Sequence, residues 1–442
     1  MSTAAAPPSA ALRSFEAQWR ARAPDPLAAL RGQAMQRLLA LGLPSSRDES
    51  WRYTNLRGLA AQTFVEAPRI TDPAALRALP QSWLAGAAAA PPIVIVNGYP
   101  EPTHAPHGPP QGVEISSLRA LPLRDAASLL GRMPPQGDAE QTRWALLNAA
   151  LFADGLYVRI GAADAAPVLI VHVAAGGAAN ATVHSRVIIE AMPGCAATII
   201  EHHIGAGGQP QLCNSATQIL LAAESAVEHY RVFATPAATT HFDALDVRQA
   251  RSSRCRQFTI VLGGGLVRTN LDAHLEEAGA LHETYALLAG NDARHVDCVA
   301  TAVHRAPRTT SRQTARAIAA GTSRVVFNSK VIVEEGAAGA DSRQSSRGLL
   351  LAPTAEIDTR PQLEIHADDV KCAHGATIGR LDADMLFYLL SRGLDRATAQ
   401  GLLVYAFLDD VLTGMSSAQA RERIEDALIA QLPDAELLRA FR

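Results

Sequence analysis

From Leu156 to about His374 the chain runs for more than two hundred residues as short alternating segments. They recur every ~12 to 16 residues with no helical periodicity between them. Val168 to His172, Thr198 to His202, His229 to Phe233, Phe258 to Leu262, Val267 to Leu275 and Val325 to Val333 are examples. In one of them Val267, Thr269, Leu271, Ala273 and Leu275 share a face, and Arg268, Asn270, Asp272 and His274 share the other. One buried and one wet face are expected. This is too much strand for a single seven-strand sandwich, and the missing crossover helices exclude a doubly wound sheet. A parallel β-helix, each turn stacking its strands on the last, fits length and spacing; a double-sheet jelly roll is the competing arrangement. A solenoid has two open ends, which flanking helices or a partner must cover.

Helical signals lie on both sides. Pro8 to about Arg22 and Pro26 to Leu41 read as a hairpin of helices, with Asp25-Pro26 as cap and first turn and Gly42 as the stop. Gly42 to Leu56 follows as a polar linker whose Trp51 and Tyr53 are expected to pin it to the body of the protein. Pro68 to Pro135 is rich in Pro and Ala, with one short strand, Ile93 to Val96, ended by Asn97-Gly98. A helix is expected over Thr142 to Phe152. Beyond the strands, Asp382 caps a helix over Met385 to Arg392 with Gly393 as stop. Asp395 caps a second to Leu412, and a third spans about Ser417 to Leu432. The expected regions are therefore 1–155, 156–380 and 381–442. The stretch Leu402 to Phe407 is apolar nearly all round, so one side is expected in the core and the other against a partner.

A formal net charge of -3 gives no basic field for nucleic acid. No run of about twenty apolar residues and no signal-peptide core occurs, so neither a membrane span nor export is expected. The five cysteines are widely spaced, with no CxxC, which disfavours a disulfide framework or a self-contained metal site and suits a reducing cytoplasm. Gly263-Gly264-Gly265 and Gly205 to Gly208 lie between strands and match no phosphate loop, so they read as turns. His202 and His203, adjacent on a strand, must face opposite ways and are not expected to ligate together.

The densest set of candidate ligands lies where strands give way to helices. His366, Asp368, Asp369, Lys371, Cys372 and His374 fall within nine residues. On a strand Cys372 and His374 point the same way, ~6.6 Å apart along the backbone. A thiolate and an imidazole at that spacing can share a metal if other ligands arrive from elsewhere, and Lys371 is a neighbour expected to favour the thiolate. The other four cysteines sit in apolar runs and read as small buried hydrophobes. An exported β-helix lyase or hydrolase using Asp368 and Asp369 is a competing class, but adjacent strand aspartates face apart.

The segment Asp341 to Leu394, containing LEIHADDVKCAHGATIGRLD, closely resembles the signature region of the SufB/SufD family of iron-sulfur cluster assembly scaffolds. GLPSSRDESWRYTNL and LLNAALFADGLYVRI resemble that family's amino-terminal signatures. The KCAHGAT segment and the long helical amino-terminal region are most like the SufD branch. The resemblance implies a mainly β fold, a right-handed parallel β-helix core flanked by N-terminal and C-terminal α-helical regions. It also implies a non-catalytic scaffold that pairs with SufB through the β-helix and docks the SufC ATPase on its C-terminal helices, Leu386, Leu402, Val404 and Phe407 being the docking candidates. The complex would build an iron-sulfur cluster from the sulfur of a cysteine desulfurase and its sulfur-transfer protein. His374 would handle the nascent cluster or iron at the interface, with Cys372 beside it. No tightly bound cofactor is implied for the isolated chain, a flavin on the complex is left open, and the isolated chain has the option of a homodimer. A purely structural subunit without ligands is the alternative.

Overall fold

The computed structural model describes residues 8–23, 25–72, 92–101, 108–122, 129 and 142–429. Most of the Pro- and Ala-rich stretch, and the end of the third C-terminal helix beyond Ile429, lie outside them.

Sixteen strands, from Leu156–Ile160 to Lys371–Arg380, alternate between two sheets and build about eight turns of a parallel solenoid. Strands of one sheet begin at Ala226, Arg254, Leu281, Thr310, Asp341 and Lys371, roughly 30 residues apart, and pair in unbroken parallel register. Register is enforced because a slip of one residue would turn the inner apolar set outwards. Several corners hold a residue in the left-handed region: Gly194, Glu224, Ser252, Asp292, Gly321 and Asp369 among them. The glycine run lies in such a turn. A Cβ on Gly265 would sit 2.2 Å from the Ala237 carbonyl oxygen, so close backbone approach explains the residue without a phosphate.

Ile170, Ile199, Leu245, Val267, Leu271, Leu288, Val325 and Phe327 fill the space between the sheets. The outer faces are covered too, which corrects the expectation of a wet face. Arg268, Asn270 and His274 are 1%, 6% and 5% exposed. Arg268 pairs with Asp297 and lies 3.8 Å from the Trp51 ring centroid. Trp51 is thus the pin expected of its linker, and Tyr53 sits likewise by Arg324, 5.2 Å from ring centroid to guanidinium. Around Trp51 the helices Ala10–Arg20, Ala28–Leu41 and Arg143–Leu151 form one core with Phe242 of the sheet, whose ring stacks on Trp144 at 3.6 Å.

The second sheet is covered by the C-terminal helices. Val404, Leu408, Val411, Leu412, Ile424 and Leu428 pack on Ile200, Tyr230, Phe258, Leu287, Ile318 and Leu349. Caps stand where the residue types place them: the Asp382 and Asp395 carboxylates accept from backbone N–H groups in the first turns of Ala383–Ser391 and Arg396–Leu412. Among the described residues, the flanking helices therefore clothe the sides of the solenoid and leave its ends uncovered. At its N-terminal end two antiparallel pairs finish the sheets, Ile93–Val96 with Tyr99–Glu101 and Val113–Ser117 with Leu156–Ile160. The Asn97-Gly98 turn between the first two has positive φ at both residues.

The core holds several imidazoles. Burial pushes His184 and His282 down to about 3 and His304 to about 4. In the unfolded chain the same groups titrate near ~6.5. Between these values the unfolded state binds more protons, so stability is complete above pH ~6.5 and is lost as pH falls, by roughly 1.4 kcal/mol per pH unit for each histidine. Thermal unfolding followed by circular dichroism should give a steeply lower Tm at pH 5 than at pH 7.5, and His282→Gln should flatten that slope.

Candidate functional site at the open end of the solenoid

Among the described residues, the final strand of each sheet, Glu356–Ile365 and Lys371–Arg380, pairs on one side only. Each presents ten residues of backbone whose outward donors and acceptors have no partner strand. Pro361, which lacks an N–H, is tolerated there because the strand is an edge. In Lys371–Arg380 every residue but Cys372 is exposed.

Register carries the interior columns out to this edge. His374 continues the inner column Gln257, Thr284, Gln313, Gln344. Gln344 Nε2 donates to Gln313 Oε1 at 3.0 Å, so the last covered rung of the column is hydrogen-bonded. Cys372 continues Cys255, His282, Ser311, Ser342, where the two serine hydroxyls lie 2.8 Å apart. Cys372 and His374 thus share the inward side, as period-two alternation requires, and the open end exposes what would otherwise be core positions.

The chemistry of Cys372 differs from the expectation. Partial burial beside Leu363, Ala367 and Val370 pushes its thiol up, the Asp341 charge adds to this, and a bond involving the Ser342 backbone offsets only part. Lys371 points to the opposite face and contributes nothing, so the thiol is protonated in the isolated chain. The remaining candidates do not converge with it. Asp369 is a corner residue with φ 53°, its carbonyl accepting from Gly339 N at 2.8 Å. His366 turns to Glu364, 3.1 Å away.

Of the four docking candidates, Leu386, Leu402 and Phe407 are half-buried, but Val404 is 2% exposed and packed on the second sheet. It cannot face a partner. The free apolar surface is instead on Ala383–Ser391, which buries none of its residues and exposes Met385, Phe387 and Tyr388 by 60%, 71% and 56%. Its continuous apolar run, MLFYLL, is the sequence signal that should have located it. A second group was missed for a different reason: His172, Glu201 and His203 meet inside the solenoid although one turn of chain separates the histidines.

Comparison with known proteins gives a consistent picture. Residues 173–407 match the family described as SUF system FeS cluster assembly, SufBD core domain, and residues 12–166 match the SufBD protein N-terminal region. The iron-sulfur cluster assembly protein SufD of Escherichia coli is 28% identical over 421 residues, 95% of either chain. A SufBD-family iron-sulfur cluster assembly protein of Synechocystis is 29% identical over 88% of this chain and 87% of its own. The chloroplastic protein ABCI7 of Arabidopsis thaliana is 26% identical over 90% and 84%.

The two apolar helices separate by experiment. Val404→Glu buries an unpaired charge and should destabilise the chain by about 3 kcal/mol or more, whereas Phe387→Asp, on the surface, should stay within about 0.5 kcal/mol of the parent. Urea unfolding of both variants measures the difference.

Proposed function

We propose, from the premise that this chain belongs to the SufBD family of iron-sulfur cluster assembly proteins, that it is a SufD-like scaffold without turnover of its own. Its open solenoid end pairs with SufB, and its C-terminal helices dock the SufC ATPase. The observation that carries the reading is the unpaired ten-residue edge strand with Cys372 and His374 upon it. An edge of that length is a template for another chain's strand, and neither lysines nor a covering helix blunt it beyond Lys371 itself.

The cluster is cargo here. An imidazole and a thiol are too few to hold iron alone, and a second solenoid bringing its own donors would complete the set across the joint. His374 is exposed and free to turn towards such a joint. Cys372 becomes a ligand only once a base or a metal ion takes its proton, which ties its use to assembly. Sulfur would come from a desulfurase and its transfer protein. Release is then a matter of moving the interface, and an ATPase gripping the adjacent helices supplies the motion. The helix Ala383–Ser391 follows the edge strand after only two residues, so a push on its apolar face reaches the ligand-bearing strand directly. All five cysteines are free thiols, which suits the cytoplasm.

His374→Ala should leave the yield of the assembled complex on size exclusion unchanged, since one exposed side chain contributes little to a large interface, while iron and sulfide after anaerobic reconstitution fall about tenfold or more. Normal iron and sulfide in a well-assembled complex would remove His374 from cluster handling. Phe387→Asp should abolish retention of the ATPase in a pull-down while pairing with SufB persists. Retained ATPase would move the dock to another face.

A further inference from the structure

Six to seven turns inward from the edge, the solenoid holds a group of donors that the reading above does not use. Glu201 and His203 point inward from the strand Ala196–Ala206, and His172 does so from its neighbour Val168–Ala175. All three are buried, at 0%, 2% and 6% exposure. His172 Nε2 lies 2.8 Å from Glu201 Oε2, and one ligand atom from each of the three lies within 4.8 Å of the others. The Nε2 of His203 is buried without a hydrogen-bond partner. An orphaned buried nitrogen of this kind is destabilising unless something satisfies it.

The surroundings are organised towards these atoms. The other carboxylate oxygen, Glu201 Oε1, is held by His229 Nε2 at 2.7 Å and by the Thr217 hydroxyl at 3.0 Å. The His203 ring is clamped between His172 at 4.3 Å and Phe233 at 4.7 Å, centroid to centroid. A small recess of about 20 Å³ lies beside the two histidines, lined by His172, His203 and His241 with Ser185, Cys213 and Thr235, and not by Glu201.

We propose that His172, Glu201 and His203 form a mononuclear site for a divalent transition-metal ion of the iron(II) or zinc(II) type, built into the N-terminal turns of the solenoid. Two imidazoles and one carboxylate are a donor set for such ions, and too poor in oxygen for magnesium or calcium. Ion bonds of about 2.1 Å need the three donors drawn together by about 1 Å and the stacked His172 and His203 rings turned so that their in-plane lone pairs meet at the ion. Glu201 would bind through Oε2 while His229 and Thr217 orient it through Oε1, the supporting contacts that fix a metal-bound carboxylate. The ion replaces the proton between His172 and Glu201 and gives His203 Nε2 its missing partner. The site is internal to one chain and does not depend on the open end.

To separate it from the edge donors, the full chain carrying Cys372→Ala and His374→Ala is expressed in medium supplemented with cobalt, zinc or iron in separate arms. It is purified anaerobically through a chelating resin and analysed for metal by mass spectrometry. About one ion per chain should survive the resin, and the cobalt form should show d–d bands without thiolate charge transfer. The arm that loads best distinguishes iron from zinc. His203→Phe, which keeps the ring stack and removes the donor, should lower metal about tenfold with unchanged circular dichroism, and Glu201→Gln should do the same. A parent chain that emerges metal-free from all three arms overturns the site, as does a folded His203→Phe chain that retains its ion. The first result is read on the parent and stands whether or not either inner variant folds.

Discussion

Every interior turn of this protein is held by main-chain hydrogen bonds to the turn before and the turn after, in a register that never slips from Ala226 to Lys371. The last turn has a neighbour on one side only. That asymmetry is the constraint on which the rest depends. Side chains at one inner position stack in columns along the axis, so a residue on the final strand stands where a core residue would stand one turn earlier. Cys372 and His374 stand at the edge and not in the core because the stacking stops there.

Clothing of the outer faces sharpens the effect. Trp51, stacked on the Arg268 guanidinium, and Val404 with Leu408 on the second sheet, bury both flanks of the solenoid. The antiparallel pairs at Ile93–Val96 and Val113–Ser117 finish the N-terminal end. Among the described residues, ten-residue edge strands are left at one end, against edge strands of three and five residues at the other, and the most exposed large apolar side chains, Phe387 and Met385, lie on the helix that leaves the longer edge. A partner at the edge and a partner on that helix would be linked by the two residues between them.

The interior is also unusually polar for a solenoid core. Arg231 pairs with Asp243, Glu201 is held by His172 and His229, and the column from His229 through Gln257, Thr284, Gln313 and Gln344 ends at His374. Buried ionic and amide groups of this kind add little stability over apolar replacements, and breaking one pair leaves a costly unpaired charge. Acid sensitivity follows from burial at His184, His282 and His304, because an imidazole held neutral in the core is charged in the unfolded chain.

Period-two alternation, regular spacing and the absence of helical periodicity were enough to read a parallel β-solenoid over Leu156 to His374. Capping chemistry was enough to place the helices after Asp382 and Asp395, because these signals are local and each residue carries its own. The pairing of Cys372 with His374 on one face was legible for the same reason. What no local pattern carries is which faces the flanking helices cover and which residues meet across turns. Arg268 read as wet and proved buried under Trp51, some two hundred residues earlier in the chain. Val404 read as free and proved to be core. His203 looked isolated beside His202, yet its partner His172 is adjacent in space because one turn of the solenoid takes roughly 30 residues. The thiol of Cys372 was decided in the same way, by packing against Leu363 and Val370 rather than by the charge of its neighbour Lys371. Alternation tells a residue which side it is on; only the stacking of turns and the draping of helices decide what it finds there.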